Sequence, residues 1–180
     1  MAWCCSSNPF AAFISDQPCA KAQTPSTLRE QKRTTVGTDV VASEKLRIKQ
    51  NRKITKKVAG WLEYVHPRVY ERFKSKDELH AVLMQIAKGL EPDEDPLLPA
   101  GDGCVCWLGD VVHDSEEPMF YMQMPEDATP ACRAVKRMIV FCFADDESFA
   151  KFDLPPLGEP VRMMCGNQSC TRLDHIALST

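Results

Sequence analysis

The sequence predicts an α+β protein: a small metal-stabilised domain, preceded by a helical basic segment and a disordered tail. Three observations carry this reading. The first is Cys165-Gly-Asn-Gln-Ser-Cys170-Thr-Arg-Leu-Asp-His175, a C-x4-C-x4-H array. The second is charge asymmetry: residues 29–57 hold ten Lys or Arg against three acids, and residues 77–129 hold thirteen acids against one base. The third is a change of apolar rhythm, from helical spacing before residue 90 to short runs after it.

Residues 1–42 are rich in Ser, Thr, Ala and Pro without apolar periodicity and are expected to be disordered. A helical region with a basic segment and a linker is expected over 43–99. Ser43 is a plausible N-cap, and Ile54, Val58, Trp61, Leu62 and Val65 recur at helical spacing before Pro67 ends the helix. Ser75-Lys-Asp-Glu78 has the form of a capping box, and Leu79, Val82, Leu83 and Ile86 make one apolar face. Gly89 then falls where a left-handed C-terminal residue is favoured. Leu90–Gly103, with three prolines, reads as a linker and a domain boundary. Beyond it, in a domain at 100–180, Cys104–Leu108 and Met119–Met124 read as strands. Thr129-Pro130 opens a helix over Ala131–Ala144, and Phe149–Leu154 and Val161–Met164 read as two more strands.

Two thiols and an imidazole supply three of the four ligands of a tetrahedral zinc, in a polar loop unsuited to burying bare thiols. Cys106 is the preferred fourth ligand and Cys104 the alternative, since both lie on the predicted strand. Cys132 and Cys142 fall within a predicted helix and read as core packing. A site closed by Cys106, Cys165, Cys170 and His175 is structural, because it leaves no open position for water or substrate. Nine cysteines without a secretory signal favour metal ligation and burial over a disulfide framework.

The array resembles the zinc-binding loop of His-Me finger homing endonucleases, a branch of the HNH nucleases. That family runs from a strand with Cys-aromatic, through a helix with Arg and a hairpin, to His-x-Cys-x4-Cys-x-Asn-Pro-x-His-Leu and a catalytic helix. Here Cys106-Trp107, the helix with Arg133-Ala-Val-Lys-Arg137, the hairpin around Pro155 and Cys165-x4-Cys170-x4-His175 follow in that order over residues 103–180. The resemblance implies a ββα-metal fold with structural Zn2+. It also implies a lost reaction. Met163 stands where the family has its general-base histidine, and a thioether cannot take a proton from water. The chain stops at Thr180, before the helix that holds the family's divalent ion, so a degenerate or truncated copy with no catalytic residue is expected. Similarity to the Smad DNA-binding domain offers a precedent for such a scaffold binding DNA without cutting it.

Lys45, Arg47, Lys49, Arg52, Lys53, Lys56 and Lys57 would surround one helix with positive charge, which suits phosphate contacts with DNA or RNA. Arg133, Lys136, Arg137, Arg162 and Arg172 match the family's DNA-facing side. The acidic segment repels a polyanion, so it must lie off that surface. His113 beside Asp114 reads as a solvated loop, and His66 and His80 as helix-end and surface residues. No membrane span or signal peptide is expected; a nuclear protein is, with an organelle-targeted one as the alternative. The competing functions are an active metal-dependent endonuclease and a protein-interaction module built on the helix at 76–88 or on the acidic loop.

Overall fold

The computed structural model describes residues 38–98, 101–123, 128–152, 155–156 and 159–177, with the side chains of 38–42 left aside. Residues 1–37 of the expected tail, Pro99–Ala100 of the linker, the Met124 end of the second strand, Asp153–Leu154 and residues 178–180 lie outside them. Five helices and one two-stranded sheet make up the described residues: α1 Thr38–Trp61, α2 Arg68–Arg72, α3 Lys76–Lys88, β1 Met119–Met122, β2 Ala131–Ala134, α4 Val135–Phe143 and α5 Asp146–Lys151. A 3-10 turn at Leu173–His175 follows. None of these helices is long and apolar enough to cross a membrane.

The capping box forms as the sequence predicts: Ser75 Oγ accepts from the Glu78 N–H at 3.1 Å and Glu78 Oε2 accepts from the Ser75 N–H at 3.3 Å. The α3 apolar face is buried against α1, whose own stripe is Ile54, Val58 and Trp61. This packing uses the apolar side of 76–88 and leaves it unavailable as a partner surface.

One core runs through both sides of the boundary expected at Leu90–Gly103: Val58, Trp61, Leu79, Leu83 and Ile86 cluster with Trp107, Phe120, Val135, Ile139 and Phe141. The linker itself is tied down. Trp61 Nε1 donates to both Asp95 carboxylate oxygens at 3.1 Å, and Lys53 Nζ reaches Asp93 at 2.7 Å. Lys57 Nζ donates to the Glu91 carbonyl at 2.9 Å. Acids 91–95 therefore neutralise the body end of the basic segment. Burial lowers the Lys57 pKa, against the pull of Asp95 and Asp93.

Gly89 is not left-handed: its φ is −84°. A glycine is required there by close approach instead. A Cβ on Gly89 would lie 2.1 Å from the buried Trp107 indole, and the Gly89 carbonyl accepts from the Leu108 N–H at 2.8 Å. We expect Gly89→Ala to cost about 1–3 kcal/mol by overpacking. Urea unfolding with an unchanged midpoint would refute that role for the glycine.

Several elements differ from the sequence reading. α1 begins at Thr38, so its first turn falls in residues expected to be disordered, and Ser43 lies inside it rather than capping it. It stops at Trp61, and Pro67 precedes the short α2. Ala131–Ala134 is a strand, not the first turn of a helix, because β1 offers it a partner in the register Met119↔Ala134 to Met122↔Ala131. Ladder pairing with burial of Cys132 overrides alanine's helical preference. Phe149 and its neighbours form α5 instead of a strand: Asp145 accepts from the Ser148 N–H at 2.6 Å, which caps the helix. The Arg68 guanidinium lies 4.2 Å from the Phe149 ring centroid and donates to Asp146 at 2.9 Å, fixing α5 on α2. Among the described residues, Cys104–Leu108 and Val161–Met164 are extended but make only the single bridges Cys106↔Cys170 and Met163↔Ile176.

Candidate metal centre

Two narrow ladders bring the Cys/His residues together. In the first, the Trp107 N–H donates to the Ser169 carbonyl and the Thr171 N–H to the Val105 carbonyl, both at 2.8 Å. In the second, the Met164 N–H donates to the His175 carbonyl at 2.7 Å and the Ala177 N–H to the Arg162 carbonyl at 3.0 Å. The knuckle between them turns on Gly166, whose φ of 73° favours glycine. Asn167 tightens it by accepting from the Ser169 N–H at 3.0 Å.

Arg172 locks the second half. Its guanidinium pairs with both Asp174 oxygens, at 2.7 and 2.5 Å, and donates to the carbonyls of Gly101 and Gly103 at 2.7 and 2.6 Å. One buried side chain thus ties the segment entering Cys104 to the turn that carries His175. Expected on a nucleic-acid surface, Arg172 is a strut.

The ligand atoms of Cys104, Cys165, Cys170 and His175 all lie within 4.8 Å of one another. His175 Nδ1 is 3.5 Å from Cys170 Sγ and 3.9 Å from Cys104 Sγ. Around a tetrahedral ion with about 2.3 Å metal–sulfur and 2.0–2.1 Å metal–nitrogen bonds, sulfur and nitrogen sit about 3.6 Å apart. The residues fit such an ion. The fourth member is Cys104, the alternative, in place of the preferred Cys106. In an extended segment these two project from the same face, so spacing could not separate them. Cys106 Sγ instead accepts from Asn167 Nδ2 at 3.4 Å. Cys142 is a buried free thiol outside the cluster, as core packing predicts, whereas the buried Cys132 is disulfide-bonded, which corrects its reading as packing alone.

A metal at these sulfurs must displace protons that burial holds tightly. Burial pushes the Cys170 thiol up to about 12, with the charges of Cys165 and Cys104 adding to the effect. Burial likewise raises Cys104. Cys165 is exposed; burial acts to raise it, but the Asn167 amide and the thiols of Cys104 and Cys170 bring it below the usual range. A divalent ion removes the mutual repulsion and holds all three as thiolates.

The other predicted residues separate sharply. Lys45, Arg47, Lys49, Arg52, Lys53 and Lys56 are exposed on α1, and Lys57 is half-buried. Arg133, Lys136 and Arg137 are buried, which corrects their assignment to a nucleic-acid face. Lys136 is bonded to Glu117, and Arg137 donates to the carbonyls of Pro155, Pro156 and Glu159 at 2.6, 3.0 and 3.3 Å. The helix α4 is buried from Val135 to Cys142, so Lys136 and Arg137 present no nucleic-acid-facing side. Arg162 is exposed. Met163 is buried beside Ile176, and His113 stands fully exposed with Asp114 at 3.5 Å. His66 Nε2 approaches Asp146 at 3.5 Å between helices. Comparison with protein-family models, with curated proteins and with solved structures finds no match to this chain.

Proposed function

We propose that this chain is a nucleic-acid-binding protein whose carboxy-terminal part is held by a structural Zn2+ on Cys104, Cys165, Cys170 and His175, and which descends from a His-Me finger nuclease without its cleavage chemistry. Four Cys/His ligands suit zinc and leave no open coordination position for a reacting water. Met163 lacks the proton acceptor that water activation demands.

The observation that carries the binding reading is the exposure of α1. Residues 43–53 are exposed without interruption, and five of them are cations (Lys45, Arg47, Lys49, Arg52 and Lys53) against the single acid Glu44. Leu46 and Ile48 within the stretch are 61% and 43% exposed, so its apolar side chains pack on nothing in the described chain. A projecting helix of this charge engages phosphates and displaces their counterions. With Lys53 and Lys57 turned toward acids 91–94, the phosphate contacts fall to Lys45, Arg47, Lys49, Arg52 and Lys56. Duplex DNA binding should then weaken with salt at a log–log slope of about −4 to −5, the value for some five contacts. Lys45→Ala with Lys49→Ala and Arg52→Ala should reduce the slope by about 3. A salt-independent affinity, or a slope unchanged in the triple variant, would exclude this face. Nicking of plasmid DNA in Mg2+ by the purified protein, beyond that of a His113→Ala control, would return the endonuclease reading.

A further inference from the structure

Cys106 sits beside the metal cluster without belonging to it, and its place in the ladder is informative. The Trp107-to-Ser169 and Thr171-to-Val105 hydrogen bonds flank the Cys106↔Cys170 bridge, which makes this the narrow, non-hydrogen-bonded pair of an antiparallel ladder. In such a pair the Cα atoms are about 4.5 Å apart and the side chains share one face. That separation lies within the range a disulfide spans. Both residues are free thiols. One ligand of the metal therefore has a second partner already in register.

We propose that Cys106 and Cys170 form a redox pair, in which a cross-strand disulfide and metal ligation compete for the Cys170 sulfur. This rests on the metal reading above for the release step, though not for the bond itself. Cys106 is the thiol not masked by an ion, and it is half-buried while Cys170 is fully enclosed. Hydrogen peroxide meets Cys106 first: the thiol becomes a sulfenic acid as the O–O bond breaks, one oxygen is transferred and one water leaves. The Cys170 thiolate sulfur then attacks the Cys106 sulfur, the S–S bond forms, the S–O bond breaks, and the departing hydroxide takes a proton from solvent to leave as a second water. The two thiols give up two electrons to the peroxide. The ion, reduced to three ligands, is released. A dithiol reductant restores both thiols and the site.

The experiment uses the full chain, with zinc content measured before oxidation. Hydrogen peroxide is added to the loaded protein while a chromophoric chelator follows free zinc. Non-reducing digestion with fragment-ion sequencing then maps the linked cysteines. The expected result is release of zinc together with a Cys106–Cys170 link in the folded, loaded protein. Cys106→Ser should keep its zinc and release it several-fold more slowly under peroxide. Links confined to Cys104, Cys165 and Cys170, or wild-type release from Cys106→Ser, overturn the pair. Absence of zinc from the untreated protein would instead sink the metal reading, and the same peroxide oxidation and mapping of that protein, folded without an ion, would still decide the disulfide.

Discussion

Removing the proposed zinc should unfold the carboxy-terminal knuckle. The buried cluster around it is small: Val140, Ala144, Val161, Met163, Cys170 and Ile176. Its backbone is held by two single bridges and a 3-10 turn rather than by a sheet. Six apolar residues of this size cannot offset the ordering of some twenty, at roughly 1–2 kcal/mol of backbone entropy each. A structural zinc contributes on the order of 10 kcal/mol of apparent binding energy at neutral pH, which is comparable with the whole stability of a small domain. Chelation should therefore expose the amides of Met164, Thr171 and Ala177 to rapid hydrogen exchange, since their bonds cross the two ladders. Amides of α3, in the larger core, should keep their protection. Cys170→Ser and His175→Ala should reproduce the chelated state, whereas Cys106→Ser should retain one zinc per chain. Binding displaces protons from as many as three thiols, so affinity should rise with pH and fall in acid. Unchanged exchange at those amides after chelation, or loss of zinc in Cys106→Ser, would contradict the ligand set.

What the sequence disclosed and what it hid have separate physical causes. The helix α3 was legible because its signals are local: the Ser75/Glu78 box and an apolar face of regular period. The knuckle was legible because three of the four clustered side chains sit within eleven residues, Cys165 to His175. Choosing Cys104 over Cys106 needed the chain path, since alternate residues of an extended segment share a face. The strand β2 depends on β1, and the competition between strand and helix at Ala131–Ala134 is settled by a partner distant in sequence. In contrast, α5 carried a local signal: Asp145 before Asp146, Glu147 and Ser148 is an N-cap with acids in the first turn. The apolar residues that follow drew attention away from it. Lys136, Arg137 and Arg172 show a further limit. A charged residue is assigned to the surface by default, and only the folded chain reveals a buried acceptor for it.

Lys136 turns that limit into a second large expected effect. Its side chain is 0% exposed, yet its three donors are all used: Glu117 Oε2 at 2.9 Å, Gln168 Oε1 at 3.1 Å and the Val161 carbonyl at 3.2 Å. Glu117 Oε2 also accepts from the Val161 N–H at 3.1 Å, while the buried Glu117 Oε1 has no hydrogen-bond partner among the described residues. The pair thus joins α4 and the loop before β1 to the segment leading into the metal knuckle. Such a pair adds little net stability, but breaking it by removing one member costs about 3–5 kcal/mol, because the other charge stays buried. Burial already raises the Glu117 carboxyl above its ordinary 4.5, with Lys136 opposing the rise. In Lys136→Met that opposition is gone, so the Glu117 carboxyl rises further and holds its proton to higher pH in the fold than in the unfolded chain. Stability then falls as pH rises above the ordinary carboxyl value, by up to about 1.4 kcal/mol per pH unit while the folded group is protonated and the unfolded one ionised. Urea denaturation should therefore find Lys136→Met close to wild type near the acid end and progressively weaker toward neutrality. Adding Glu117→Gln should remove that pH slope and restore most of the stability, since no buried charge remains. A Lys136→Met variant with wild-type stability at pH 7 would mean that the carboxylate is hydrated in solution, and the pair would not then be the strut that these hydrogen bonds describe.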